Sequence, residues 1–185
     1  MTEKEFISHK FINYMEKKDP DDIEVNEFNK IISHETKQNF TNKYEIINYI
    51  LKDILDQKIK DINKLKGKDI NFQNKLILFS DDHFRFLDNH PKKSNLLIKI
   101  SFISKYNNKI TAIKSYINDF KSIFTQLIKK EVEKEKVRNV DTKVIVDAIL
   151  YTLHGVTMQL KYEKSYNYAR AKKELVNFIY LGLNK

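Results

Sequence analysis

The segment Asn39-Phe40-Thr41-Asn42-Lys43-Tyr44-Glu45-Ile46 decides how the rest of the chain is read. Two short helical patterns end before it, and one long amphipathic pattern starts after it. Asn42 has the side chain of a helix N-cap, and Glu45 stands three residues later in capping-box position. Lys43 falls in the first turn, where free backbone N–H groups and the helix dipole favour a phosphate. Such a junction joins a small helical head to a larger helical body.

On the N-terminal side, Phe6, Ile7, Phe11, Tyr14 and Met15 recur at helical spacing and predict a helix over residues 3–17. Asp19-Pro20-Asp21-Asp22 ends it and caps the next helix, residues 24–33, whose apolar positions are Val25, Phe28, Ile31 and Ile32. Residues 34–39 must hold a turn and whatever remains of a third helix. On the C-terminal side, Ile46, Ile47, Ile50, Leu51, Ile54, Leu55, Ile59 and Ile62 form one stripe, so the long helix spans residues 43–66 with Gly67 as its C-cap. Further helices are expected over 72–89, stopping before Pro91, then 96–103, 110–138, 142–162 behind Asp141 as cap, and 165–183.

Composition agrees with an all-α chain. Only 3 Gly and 2 Pro in 185 residues leave few turn signals, and 41% hydrophobic residues suffice for a core. The absence of cysteine excludes disulfides, thiolate metal sites and cysteine nucleophiles, and fits a reducing cytoplasm. The start, Met1-Thr2-Glu3-Lys4-Glu5, is charged and unlike a signal peptide, and no run approaches the roughly 18 apolar residues of a membrane helix. The expectation is a cytoplasmic protein without a membrane partner. The net charge of +9 invites a nucleic-acid partner, yet its distribution does not follow the head. Residues 1–40 hold six lysines against nine acids, a net of −3, whereas residues 92–138 carry a net of +8. A general bias towards Lys, Asn and Ile explains the total equally well.

The junction resembles the hinge of TetR-family transcriptional regulators, in which an aromatic, then Ser or Asn, then Lys lead into the long connecting helix. Phe86-Leu87-Asp88-Asn89-His90-Pro91, Val140-Asp141 followed by Ala148 and His154-Gly155, and Leu181-Gly182-Leu183 resemble later parts of that family in the right order. The resemblance implies a helix-turn-helix DNA-binding head over 1–46 and a helical effector-binding and dimerisation domain over 47–185. Double-stranded DNA would be read by Lys37, Gln38 and Asn39, with Thr36 touching phosphate and Lys43 anchoring the backbone. The head departs from the pattern at Asn29, where the family has Ala, and at Ser33-His34, where it has Gly. Val25 to Phe40 is about one helical turn short, so the reading helix is expected to be shortened.

The helix over 142–162 is apolar nearly all round and needs cover on several sides. Ala148 and Gly155 share one face of it, and Ala171, Leu175, Phe178, Ile179 and Gly182 recur on the last helix. Two such helices from each of two subunits would form an isologous four-helix interface of a homodimer; completing a monomeric core is the other reading. An effector pocket lined by Phe79, Phe84, Phe102, Tyr116, Phe120, Phe124 and Tyr151 would take a small apolar or aromatic ligand, although such stripes also serve simply as core.

No phosphate-binding Gly loop or nucleophile motif is present, and no cofactor or enzyme activity is expected. His83 and His90, seven residues apart near Asp82, more often mark a helix-end pair with ordinary hydrogen bonds than a metal site. Asp81-Asp82 reads as a solvated acidic patch, and His154 as a core histidine in preference to one facing the dimer seam or a pocket. The function expected from the resemblance is an effector-controlled DNA-binding regulator. The alternative is an interaction protein of the same fold that has lost DNA binding and acts by heterodimerisation or ligand sequestration.

Overall fold

The computed structural model describes residues 1–101, 108–134, 138–163 and 168–183. Thr2 caps α1, Glu3–Tyr14: its hydroxyl accepts the Glu5 N–H, and the Glu5 carboxylate reaches back to the Thr2 N–H. Pro20–Asp22 forms a single 3-10 turn before α2, Val25–Ile32. The chain then turns and runs without regular secondary structure from residue 36 to residue 40 before α3, Lys43–Lys64. The Asn42 side chain accepts the Glu45 N–H at 3.0 Å, which is the expected cap. Glu45 reaches one residue further back than a simple capping box, to the Thr41 N–H and hydroxyl, both at 2.8 Å.

Gly67 closes a 3-10 turn after α3; α4 spans Phe72–Asn89 and α5 spans Pro91–Ser101. Proline occupies the first position of α5, where its missing N–H costs nothing. Next come α6, Thr111–Glu133, α7, Thr142–Tyr162, and α8, Tyr168–Leu183. Asp141 caps α7 through the N–H groups of Lys143 and Val144. Among the described residues the fold is all-α, and none of these helices is long and apolar enough to cross a membrane.

The chain forms two compact units, residues 1–58 with 86–116, and residues 59–85 with 117–185. The head expected at 1–46 lies wholly inside the first unit, which takes in the next turns of α3, the end of α4, α5 and the first turn of α6. That unit has one apolar core in which Ile7, Phe11, Phe28, Ile32 and Phe40 meet Ile46, Ile47, Ile50 and Leu51 of α3 and Leu96 and Ile100 of α5. Aromatic rings run through it: Phe11 to Phe28 at 5.3 Å, Phe28 to Phe40 at 6.1 Å and Phe40 to Tyr49 at 5.5 Å. Asn48 of α3 caps α6 across the core, accepting the Ala112 N–H and donating to the Lys109 carbonyl, both at 3.0 Å.

In the second unit, Phe79 of α4 meets Phe120 and Phe124 of α6 at 5.7 and 4.9 Å, and the latter two stack at 4.5 Å. Helix α7 buries Val146, Ile149, Leu153 and Thr157, and α8 buries Ala171, Leu175, Val176, Ile179 and Leu183. His83 of α4 lies 2.9 Å from the Thr157 hydroxyl, which itself donates to the Leu153 carbonyl.

Candidate nucleic-acid and pairing surfaces

Residues 33–42 contain no helix, so the second helix of a helix-turn-helix is missing rather than only shortened. The segment is nevertheless held at its end. The Asn29 side chain donates to the Phe40 carbonyl at 2.8 Å and accepts the Phe40 N–H at 3.0 Å. At the other end, the Glu3 carboxylate accepts the Lys37 N–H at 3.3 Å and the Thr36 N–H bonds the Ile32 carbonyl. The Phe40 N–H and carbonyl and the Lys37 N–H, which a helix would pair internally, are thus paired by side chains from α1 and α2. Asn29, which the sequence marks only as a departure, satisfies both backbone groups of Phe40 at the end of this non-helical segment.

The candidate readers fare unequally. Lys37 and Asn39 are exposed and Gln38 is half-buried. The Thr36 hydroxyl is buried, with no hydrogen-bond partner among the described residues. Lys43 sits in the first turn of α3 as expected, but its ammonium pairs with Asp21 at 3.3 Å. Five residues without regular secondary structure offer base edges fewer side chains than a helix laid in the major groove.

The residues expected at a subunit interface divide in two. Ala171, Leu175 and Ile179 are buried within the second unit, where α7 and α8 pack together, so in this chain they complete its own core. Ala148, Gly155 and Phe178 are exposed and Gly182 is half-buried. The exposed set extends beyond them: Val144, Ala148, Tyr151, Gly155 and Tyr162 recur at helical spacing along α7, and Phe178 and Leu181 stand out from α8 at 67% and 70% exposure. Spacing alone would have found Val144 and Leu181, but not that their face is the outer one. Nothing lies within 4 Å of a β-carbon placed on Gly155 or Gly182, so the packing of this chain alone requires neither glycine.

Of the expected effector-pocket residues, Phe79, Phe84, Phe120 and Phe124 are buried in the second unit. Tyr116 packs against the core of the first, where burial raises its phenol pKa. Tyr151 is 68% exposed on the outer stripe of α7 and, among the described residues, does not belong to the buried cluster. Phe102 lies outside the described residues. The titratable groups noted from the sequence have ordinary structural roles. Asp81 pairs with Lys172 of α8, Asp82 lies 3.9 Å from Arg85, and the His90 ring packs on Phe86 at 5.3 Å. His154 is exposed rather than core, and the partial desolvation it does experience lowers its pKa. No group of three or more His, Asp or Glu side chains among the described residues could hold a metal ion.

No protein-family profile matches this sequence, and no curated protein does. The fold, however, is that of solved TetR-like regulators. The fatty acid degradation regulator FadR from Bacillus halodurans superposes with a TM-score of 0.80 over 97% of this chain and 95% of its own, at 14% identity. FadR from Bacillus subtilis, solved with stearoyl-CoA, gives 0.73 over 94% and 95%, at 16% identity. A protein from Syntrophomonas wolfei, assigned to the TetR family of transcriptional regulators, gives 0.79 over 96% and 93%, at 14% identity. At such identities the likeness concerns architecture, and it extends over nearly the whole of each chain.

Proposed function

We propose that this chain is a cytoplasmic regulatory subunit of TetR-like fold that acts through protein pairing and capture of an apolar ligand, not by reading base edges with its own head. The observation that carries this reading is the segment 36–40, non-helical and held at Phe40 by Asn29 where a reading helix would lie. The subunit pairs through the exposed stripe of α7 and the adjoining Phe178 and Leu181 of α8, with a second copy or with a subunit of the same fold that retains a reading helix. The aromatic cluster of Phe79, Phe120 and Phe124, with Phe84 buried in the same unit, supports an apolar ligand. The stearoyl-CoA bound to the Bacillus subtilis relative makes an acyl chain the first class to try.

Gel shifts across genomic fragments, run from about 50 to 200 mM salt, test the reading. The chain alone gives no fragment-specific band at any salt. A band that survives competitor duplex at the upper end overturns the proposal. It would favour a second reading, a homodimeric DNA-binding regulator using Lys37, Gln38, Asn39 and Lys43, which the exposure of Lys37 and Asn39 beside the hinge supports.

A further inference from the structure

The head is acidic, and its acids hold lysines. Lys92 of α5 pairs with Glu16 at 2.6 Å, Lys99 of α5 with Asp19 at 2.8 Å, Lys43 of α3 with Asp21 at 3.3 Å, and Lys18 with Glu27 at 2.5 Å. Lys99 also donates to the Lys18 carbonyl at 2.5 Å, and Lys92 to Asn13 at 3.4 Å. Cations from two other helices therefore converge on the short connection between α1 and α2, all within the first compact unit. Stability does not account for the arrangement. Exposed pairs of this kind add little, and the apolar core already joins α1 and α2 to α3 and α5. The pairs do change what these lysines can bind. A phosphate approaching Lys43 must displace a carboxylate and then remain beside it, like charge against like.

We propose that residues 16–22, together with Glu27, form a built-in substitute for phosphate that occupies Lys18, Lys43, Lys92 and Lys99 and keeps the first unit off polyanions such as the duplex backbone. This rests on the reading above, in which the head does not read sequence, and adds that it is also screened from sequence-independent binding. A subunit so screened is not held on bulk DNA and stays available to its protein partner.

The test compares two variants of the full chain with equal charge change. One carries Glu16→Gln, Asp19→Asn, Asp21→Asn and Glu27→Gln. The control carries Asp56→Asn, Glu133→Gln, Glu163→Gln and Glu174→Gln, exposed acids outside the strap. Fluorescence anisotropy with a random-sequence duplex reads affinity against salt. The strap variant binds about tenfold or more tighter than the control at low salt, and its log–log salt slope steepens by roughly 3 to 4, about 0.9 for each lysine that meets a phosphate. Equal gains in the two variants would reduce the effect to net charge and overturn the proposal, as would no gain in either. The single variant Asp21→Asn, expected to steepen the slope by about 0.9, covers a strap variant that fails the circular-dichroism check of folding. Sequence-specific binding by the unaltered chain would sink the functional reading instead, so the two failures are distinguishable.

Discussion

Gly155→Ala is expected to move monomer stability and pairing in opposite directions. Gly155 lies inside the 21-residue helix α7, exposed, with nothing within 4 Å of the position a β-carbon would take. In an isolated subunit the added methyl meets no neighbour, and the exchange removes the intrinsic helix cost of glycine, about 1 kcal/mol. For a chain of 185 residues that raises Tm by roughly 2–4 °C. If the α7 stripe packs on another helix, the same methyl enters the seam from each side of a symmetric pair. Overpacking of this kind costs about 1–3 kcal/mol, so the dimer Kd weakens by about fivefold to a hundredfold. Sedimentation velocity over a concentration series gives Kd, and thermal unfolding of the dilute subunit gives the other half. A higher Tm with an unchanged or tighter Kd would refute the placement of Gly155 at the seam. A lower Tm in the dilute subunit would refute the open space around it.

Four further outcomes follow from contacts already described. Asn29→Ala removes both hydrogen bonds to Phe40 and costs about 2 kcal/mol, read from denaturant midpoints at unchanged slope, with faster amide exchange at Phe40. Asn48→Ala uncaps α6 and costs about 1 kcal/mol, with the loss of protection strongest at Ala112. Phe124→Ala opens a cavity beside Phe79 and Phe120 and costs about 3–5 kcal/mol by the same measurement. The fourth concerns pH. The Thr41 N–H, then its hydroxyl, hold the Glu45 carboxyl below its usual range. The ionised form is favoured in the folded chain, so this stabilisation is complete above the unfolded carboxylate value, about 4.3, and is lost as pH falls through the lower folded value. Urea titrations at a series of pH values should show that acid limb, and Glu45→Gln should flatten it.

Much of the fold could be read from the chain because local signals and apolar periodicity agreed. Asp141 ahead of an apolar run placed the start of α7, and Pro91 after Phe72–Asn89 placed the end of α4. The Asn42 cap and the stripe from Ile46 onward placed α3. What failed was the sorting of faces. An α-helix apolar nearly all round gives no internal sign of which face its own chain will cover, and α7 buries Val146, Ile149 and Leu153 while leaving Val144 and Tyr151 outside. For the same reason Ala171, Leu175 and Ile179 of α8 went to the core rather than to a surface. The head failed differently. The shortness of the reading segment was visible by counting, but the role of Asn29 depends on meeting Phe40 eleven residues later, a pairing that no local propensity encodes. Salt links such as Lys43 to Asp21, 22 residues apart, were hidden for that reason too.

The state of residues 33–42 decides whether the head can read base edges, and backbone NMR chemical shifts of that segment, with and without duplex, test it most directly. The predicted result is extended or coil-like Cα and Cβ shifts from Thr36 to Phe40 in both conditions, with the Phe40 amide protected by Asn29. A run of helical shifts through these residues, in the free chain or on addition of DNA, would contradict it and restore a reading helix to the head.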